Sequence, residues 1–154
     1  MSSTKVRYEQ RSTLIALESY LTTAGYSNIK YTEGYQSEDS ITNPQISVTF
    51  PPSRVRVLQM GKVAGKDKMY IRRIQVDAYM ESEPRTQAII DDIMDFMADT
   101  IITIVDPSNN TLGTLLCNDE ESIYGDTMPP ILENPKFLRY HGVARGEYEA
   151  FYPG

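Results

Sequence analysis

Asp92, Asp95 and Asp99 are the residues whose type and spacing come nearest to chemistry in this chain of 154 residues. They fall at i, i+3 and i+7, so on a helix their carboxylates line one face. A magnesium-dependent nuclease needs such oxygens, but it needs them converging from different elements around an open coordination position. The same residues, with Asp91, also describe the solvated side of a helix whose other side is the apolar stripe Ile90, Ile93, Met94, Met97, Ile101 and Ile104. The solvated-face reading is the stronger, and no enzyme activity is expected.

Other chemistry finds less support. His141 is the only histidine and alternates with polar neighbours, which suits a surface or interface position better than general-base duty. Neither Cys117 nor any serine sits in a nucleophile turn, the glycines of MGKVAGK lack the Gly-Lys-Ser/Thr ending of a phosphate loop, and no Cys/His set can hold zinc. No cofactor is expected. A single cysteine cannot make an internal disulfide, in keeping with a reducing compartment. The net charge of −6 argues against nucleic-acid binding, which needs clustered Lys and Arg, while an acidic wall would let DNA slide past without sticking. No apolar run approaches membrane-spanning length, and MSSTKVRYEQ has no apolar export core, so the chain is expected to stay where it is made.

The elements that must position these residues are read from periodicity. Leu14, Leu17, Leu21 and Ala24, followed by Gly25 at a left-handed C-cap, predict a first helix over about residues 7–24. A short extended piece is expected near Asn28–Tyr31. A strand with one buried face carries Ile46, Val48 and Phe50, and another spans 53–60 with Val55 and Val57 opposite Arg54 and Arg56. An exposed Lys/Gly hairpin, MGKVAGKDKM, joins it to the long strand MYIRRIQVDAYM. There Met69 and Ile71 have the opposite parity to Ile74, Val76, Ala78 and Met80, so a bulge near Arg72-Arg73 is predicted.

Ser82 or Glu83 caps a second helix with Pro84 in its first turn, expected to run over about 83–105 and to stop before Asp106-Pro107. A short strand near Leu112–Cys117 follows, then an irregular acidic connection at 118–136. The segment from Phe137 to Phe151 alternates Leu138, Tyr140, Gly142, Ala144, Gly146, Tyr148 and Ala150 with polar residues, predicting a strand of about 15 residues. It must either bend at its glycines or reach beyond its own domain. Together these give an α+β fold: a single domain over 1–154, a mainly antiparallel sheet packed on two helices as a two-layer sandwich, with a long C-terminal strand.

In this order the elements resemble the tail terminator proteins of tailed bacteriophages. The likeness is carried by RRIQVDAYMESEPRTQAIIDDIMDFM, residues 72–97, where a strand leads directly into a helix, and by the closing RYHGVARGEYEAFYP. The connection 118–136 has no counterpart in that pattern. The resemblance implies a virion protein of the tail or neck, assembled in the host cytoplasm. It would form a six-fold ring of identical subunits that caps the tail tube, ends its polymerisation and joins the neck, with genomic DNA passing through the lumen. Its partners would be itself, the tail tube protein and neck or connector proteins, with no membrane. Another tail or neck component, such as a tube subunit, shares most of these features. Candidate contact residues are Lys62, Lys66 and Lys68 on the hairpin, Arg54 and Arg56 beside it, and Tyr140, Tyr148 and Tyr152 on the last strand.

Overall fold

A computed structural model describes residues 2–34, 44–51, 57–60, 67–117, 119–128 and 140–153. Its elements in chain order are α1 (Ser2–Thr23), β1 (Lys30–Glu33), β2 (Gln45–Thr49), β3 (Val57–Met60), β4 (Asp67–Met80), α2 (Glu83–Asp99), β5 (Ile102–Val105), β6 (Thr111–Cys117), β7 (Tyr124–Met128) and β8 (Tyr140–Tyr152). A 3-10 turn at Glu120–Ser122 precedes β7. The class is α+β.

The axis of the sheet is the antiparallel pair β4–β8, in unbroken register from Lys68 opposite Tyr152 to Met80 opposite Tyr140. Each of these long strands carries two short ones on its outer side. β4 pairs with β3 at its start and with β2 at its end, while β8 pairs with β7 along its first half and β6 near its end. β1 extends the sheet beyond β2 in parallel, and β5 extends it beyond β6. The long C-terminal strand therefore stays inside the sheet, and its length is matched by β4 rather than by a neighbouring molecule.

The sheet is curled, because its two outer ends meet the same helix. α1 packs on β5 at one end of the strand order and on β1 and β2 at the other. Two side-chain bonds fix that closure: Gln10 Nε2 donates to the Val48 carbonyl at 2.7 Å, and Val105 N–H donates to Ser12 Oγ at 3.1 Å. Val105 N–H belongs to an edge strand and would otherwise need water, while the Val48 carbonyl accepts from Gly34 N–H as well, at 2.9 Å. The helix ends as its sequence requires. Gly25 has φ +105°, Tyr26 N–H returns to the Leu21 carbonyl and Gly25 N–H to that of Thr22, the paired bonds of a Schellman cap.

α2 lies on the same face of the sheet as α1. Ile89, Ile93, Phe96 and Met97 are buried there against Ile74, Val76, Met80 and Tyr148, and Tyr20 of α1 meets Phe96 edge-on at 5.4 Å between ring centroids. Gly142 and Gly125 let the helix sit close, since a Cβ at either position would come within 2.6 Å of Ile90.

Four expectations are corrected. α2 stops at Asp99, not near 105, because the β-branched run from Thr100 to Val105 alternates: Ile102 and Ile104 are buried in β5, while Ile101 is 65% exposed. Asp106-Pro107 opens the β5–β6 turn instead, with the Asp106 carboxylate accepting from the backbone N–H of Ser108 and Asn110, each at 2.9 Å. No bulge interrupts β4 at Arg72-Arg73. Arg72 keeps the core parity and is buried by pairing with Glu9 of α1, while Met69 and Ile71 remain half-buried on the other face. All five residues of β2 are buried, so it does not show the single buried face that its alternation predicts. Finally, the connection at 118–136 is not irregular throughout, since it contains the 3-10 turn and β7; its remainder from 129 lies outside the described residues, as do the hairpin tip at 61–66 and residues 52–56.

Candidate functional site

With both helices on the even-numbered face of β4 and β8, the odd-numbered residues make the other face. Apart from Met69, Ile71, Val143 and Phe151 it is polar. Gln45, Ser47 and Thr49 of β2 stand in register with Tyr79, Asp77 and Gln75 of β4, which in turn face His141, Val143 and Arg145 of β8. Tyr124 of β7 continues the row opposite Arg145. Gln75 and Asp77 are about 95% buried, so each polar atom there needs a partner.

The partners form a chain across the strands. Arg145 Nε donates to Gln75 Oε1 at 2.8 Å, Gln75 Nε2 to Asp77 Oδ2 at 2.9 Å, and Asp77 Oδ1 accepts from His141 Nε2 at 2.8 Å. The His141 ring stacks on Tyr79 with centroids 4.4 Å apart. At the other end Arg145 Nη1 donates to the Tyr124 hydroxyl at 2.9 Å, with the guanidinium over that ring. Towards β1, the Thr32 and Ser47 hydroxyls bond each other at 2.7 Å and Gln45 Nε2 donates to Thr32 Oγ1. The Thr49 hydroxyl, buried in the same row as Gln75 and Arg145, has no hydrogen-bond partner among the described residues.

Beside this chain lies a cleft of about 360 Å³, lined by Arg73, Gln75, Tyr124, Arg145 and Glu147 together with Pro51 and Ser122. Arg73 and Arg145 are exposed, as is 51% of Tyr124. Two guanidiniums and a phenol at a partly open depression favour a planar carboxylate, which a guanidinium can grip through two parallel N–H donors. Glu147, opposite Arg73 across the strand pair, offsets part of that charge.

The opposite face holds a second polar group, fully enclosed. Arg72 Nε donates to Glu9 Oε1 at 2.6 Å and Arg72 Nη2 to Glu9 Oε2 at 3.2 Å, while the Tyr152 hydroxyl donates to Glu9 Oε2. Arg72 also stands over the Tyr70 ring, 4.7 Å from its centroid. Burial, followed by the Glu9 bond, drives the Tyr152 phenol well above its usual range.

The sequence-predicted residues are placed as follows. Tyr148 and Tyr152 are buried inside the chain, so neither ring is a surface for a neighbour. Tyr148 instead donates to the Met97 carbonyl at 3.3 Å, and Tyr152 holds Glu9. Tyr140 is half-buried at the first position of β8. Lys68 lies in β4 opposite Tyr152, and Arg54, Arg56, Lys62 and Lys66 lie outside the described residues. Asp92 accepts the Tyr26 hydroxyl at 2.6 Å, tying the turn after α1 to α2, while Asp91, Asp95 and Asp99 are exposed. Among the described residues no three His, Cys, Asp or Glu side chains are placed to hold a metal ion, and no helix is long and apolar enough to cross a membrane.

Gln75, Asp77, Arg145 and Tyr124 were not legible as a group, although the alternation of β4 and β8 places each on a polar face. Only the strand register brings them together.

The fold and its polar face define an α+β domain with both helices on one side of a curled sheet. No family model and no curated protein sequence matches the chain. Among solved structures it is similar to the gp17 protein of bacteriophage SPP1, at 12% identity and a TM-score of 0.39, over 97% of this chain and 94% of that one. That similarity is too distant to define a shared fold.

Proposed function

We propose that the chain is a structural protein of a bacteriophage virion that assembles with copies of itself into a ring capping the tail tube. The observation that carries the reading is the arginine and tyrosine cleft: both helices cover one face of the sheet, and on the other a largely buried chain of hydrogen-bonded side chains ends at this partly open depression. Arg and Tyr are enriched where proteins meet, and such a cleft suits contact with another protein. Among the described residues β1, β3, β5 and β7 each have a strand on one side only, and a closed ring is one way to cover such edges. The resemblance of residues 72–97 to tail terminators supplies the particular role. In that role the ring, six-fold as in that family, ends tube polymerisation and presents its far side to the neck. The net charge of −6 suits a lumen through which DNA passes.

The test is the mass of the purified protein in solution together with electron microscopy. Annular particles of uniform diameter are expected. Open-ended tubes would favour the alternative of a tube subunit, and a monomer at every concentration would remove the ring. The nuclease reading predicts magnesium-dependent DNA cleavage lost in Asp92→Asn and Asp95→Asn; no cleavage by the native chain is expected.

A further inference from the structure

We infer that the cleft between Arg73 and Arg145 receives the exposed carboxylates of α2 from a second copy of this chain, in a head-to-tail contact. The inference rests on the self-assembly reading and names the surfaces involved. Asp91, Asp95 and Asp99 recur every four residues along α2 and are all exposed, so they form one ridge on the outer side of the helix. The ridge faces away from the sheet, since Ile90 and Met94 of the same helix press on Gly125 and Gly142. The cleft lies on the opposite side of that sheet, where Arg73 and Arg145 stand with Tyr124. One copy thus offers negative charge on one side and two guanidiniums, partly offset by Glu147, on the other.

Opposed, unlike surfaces make a heterologous contact, and a heterologous contact repeats from copy to copy until it closes into a ring or runs on as a filament. Arg145 is already held in place by Gln75 and Tyr124, so its orientation is set before the carboxylate arrives. Arg73 is exposed and forms no ion pair among the described residues, leaving its guanidinium available to an incoming group.

The test uses two variants at exposed positions, Arg73→Glu and Asp95→Arg, with self-association of the full chain measured by sedimentation. Each variant alone sets like charges against each other, and an association about tenfold or more weaker is expected. Mixed in equal amounts they should associate again, because one junction is then native and the next carries the same pair reversed. Native association should also weaken as salt is raised. Circular dichroism of each variant shows whether it folds. If the native chain assembles but neither variant weakens it, or mixing restores nothing, the contact is wrong while the ring stands. Association indifferent to salt also overturns the contact, and a native chain that never assembles removes the ring reading and this contact with it.

Discussion

The two faces of the β4–β8 pair are built from alternate residues of the same two strands, yet they are held by different physics. The even-numbered face is apolar, covered by both helices, and encloses one ionic group, Glu9–Arg72–Tyr152. The odd-numbered face meets no helix among the described residues and is held by a chain of side-chain bonds from Tyr124 to His141 that ends at an open cleft. Burial energy resides on the first face, where large side chains leave water. Net hydrogen-bond energy is modest, so the second face contributes less to stability, and its open end at Arg73, Arg145 and Tyr124 sets the shape and charge another molecule would meet. The difference assigns most of the stability to one parity and recognition to the open end of the other.

The largest effect expected is loss of the whole fold in alkali, and it tests the helix-covered face. Tyr148 and Tyr152 on that face, and Tyr26 bonded to Asp92, all have phenol values raised above the ordinary 10.0, first by burial. A group whose folded value is raised contributes stability that is complete below its unfolded value and is lost as pH climbs from there through the folded value. Unfolding should therefore become steadily easier above pH 10.0, with the phenolate absorbance of these three residues appearing together with loss of helix circular dichroism. Phenolates of these three residues forming while the helix signal is intact would contradict the burial of that face.

Next in size is Arg72→Met, which leaves the Glu9 carboxylate buried beside Tyr152 without its cation. A loss of about 3–5 kcal/mol in denaturant unfolding is expected. Replacing both members, Glu9→Leu with Arg72→Met, should cost less than Arg72→Met alone, because no uncompensated charge remains. Additive losses would mean that the pair is not coupled.

Asp77→Ala tests the polar face. It removes the acceptor of both Gln75 and His141 and should cost about 1–3 kcal/mol, the penalty of leaving buried donors unpaired. A loss as great as that of Arg72→Met would erase the proposed contrast between the faces.

How much of this was readable beforehand follows from the range of each interaction. The Gly25 cap, the Ser82 cap and the direct passage from β4 into α2 are local, and the sequence shows them. The end of α2 was misplaced because Ile101 and Ile104 satisfy helical spacing while Ile102 and Ile104 satisfy strand spacing, and only packing decides between the two. The expected bulge arose from assigning Met69 and Ile71 to the core face, a place that Arg72 takes instead. The partner of Arg72, Glu9, lies on α1, 63 positions away, and no periodicity in β4 reveals it. The cleft has the same origin, since Arg73 and Arg145 meet through the β4–β8 register, as Tyr124 and Arg145 do through β7–β8. The hairpin lysines drew attention because their composition is conspicuous, whereas the cleft combines ordinary residues from strands far apart in the chain.

The smallest effect on stability sharpens the comparison most. Arg73→Ala removes an exposed side chain with no ion pair among the described residues, so stability should stay within about 0.5 kcal/mol of the native chain. Its immediate neighbour Arg72 points to the other face and should cost several kcal/mol when lost. Adjacent arginines with effects so different would show that strand parity alone separates the stabilising face from the exposed one. If Arg73→Ala instead destabilised the chain by more than about 1 kcal/mol, the guanidinium would be part of the protomer's own framework. The cleft could not then be a surface held ready for another molecule.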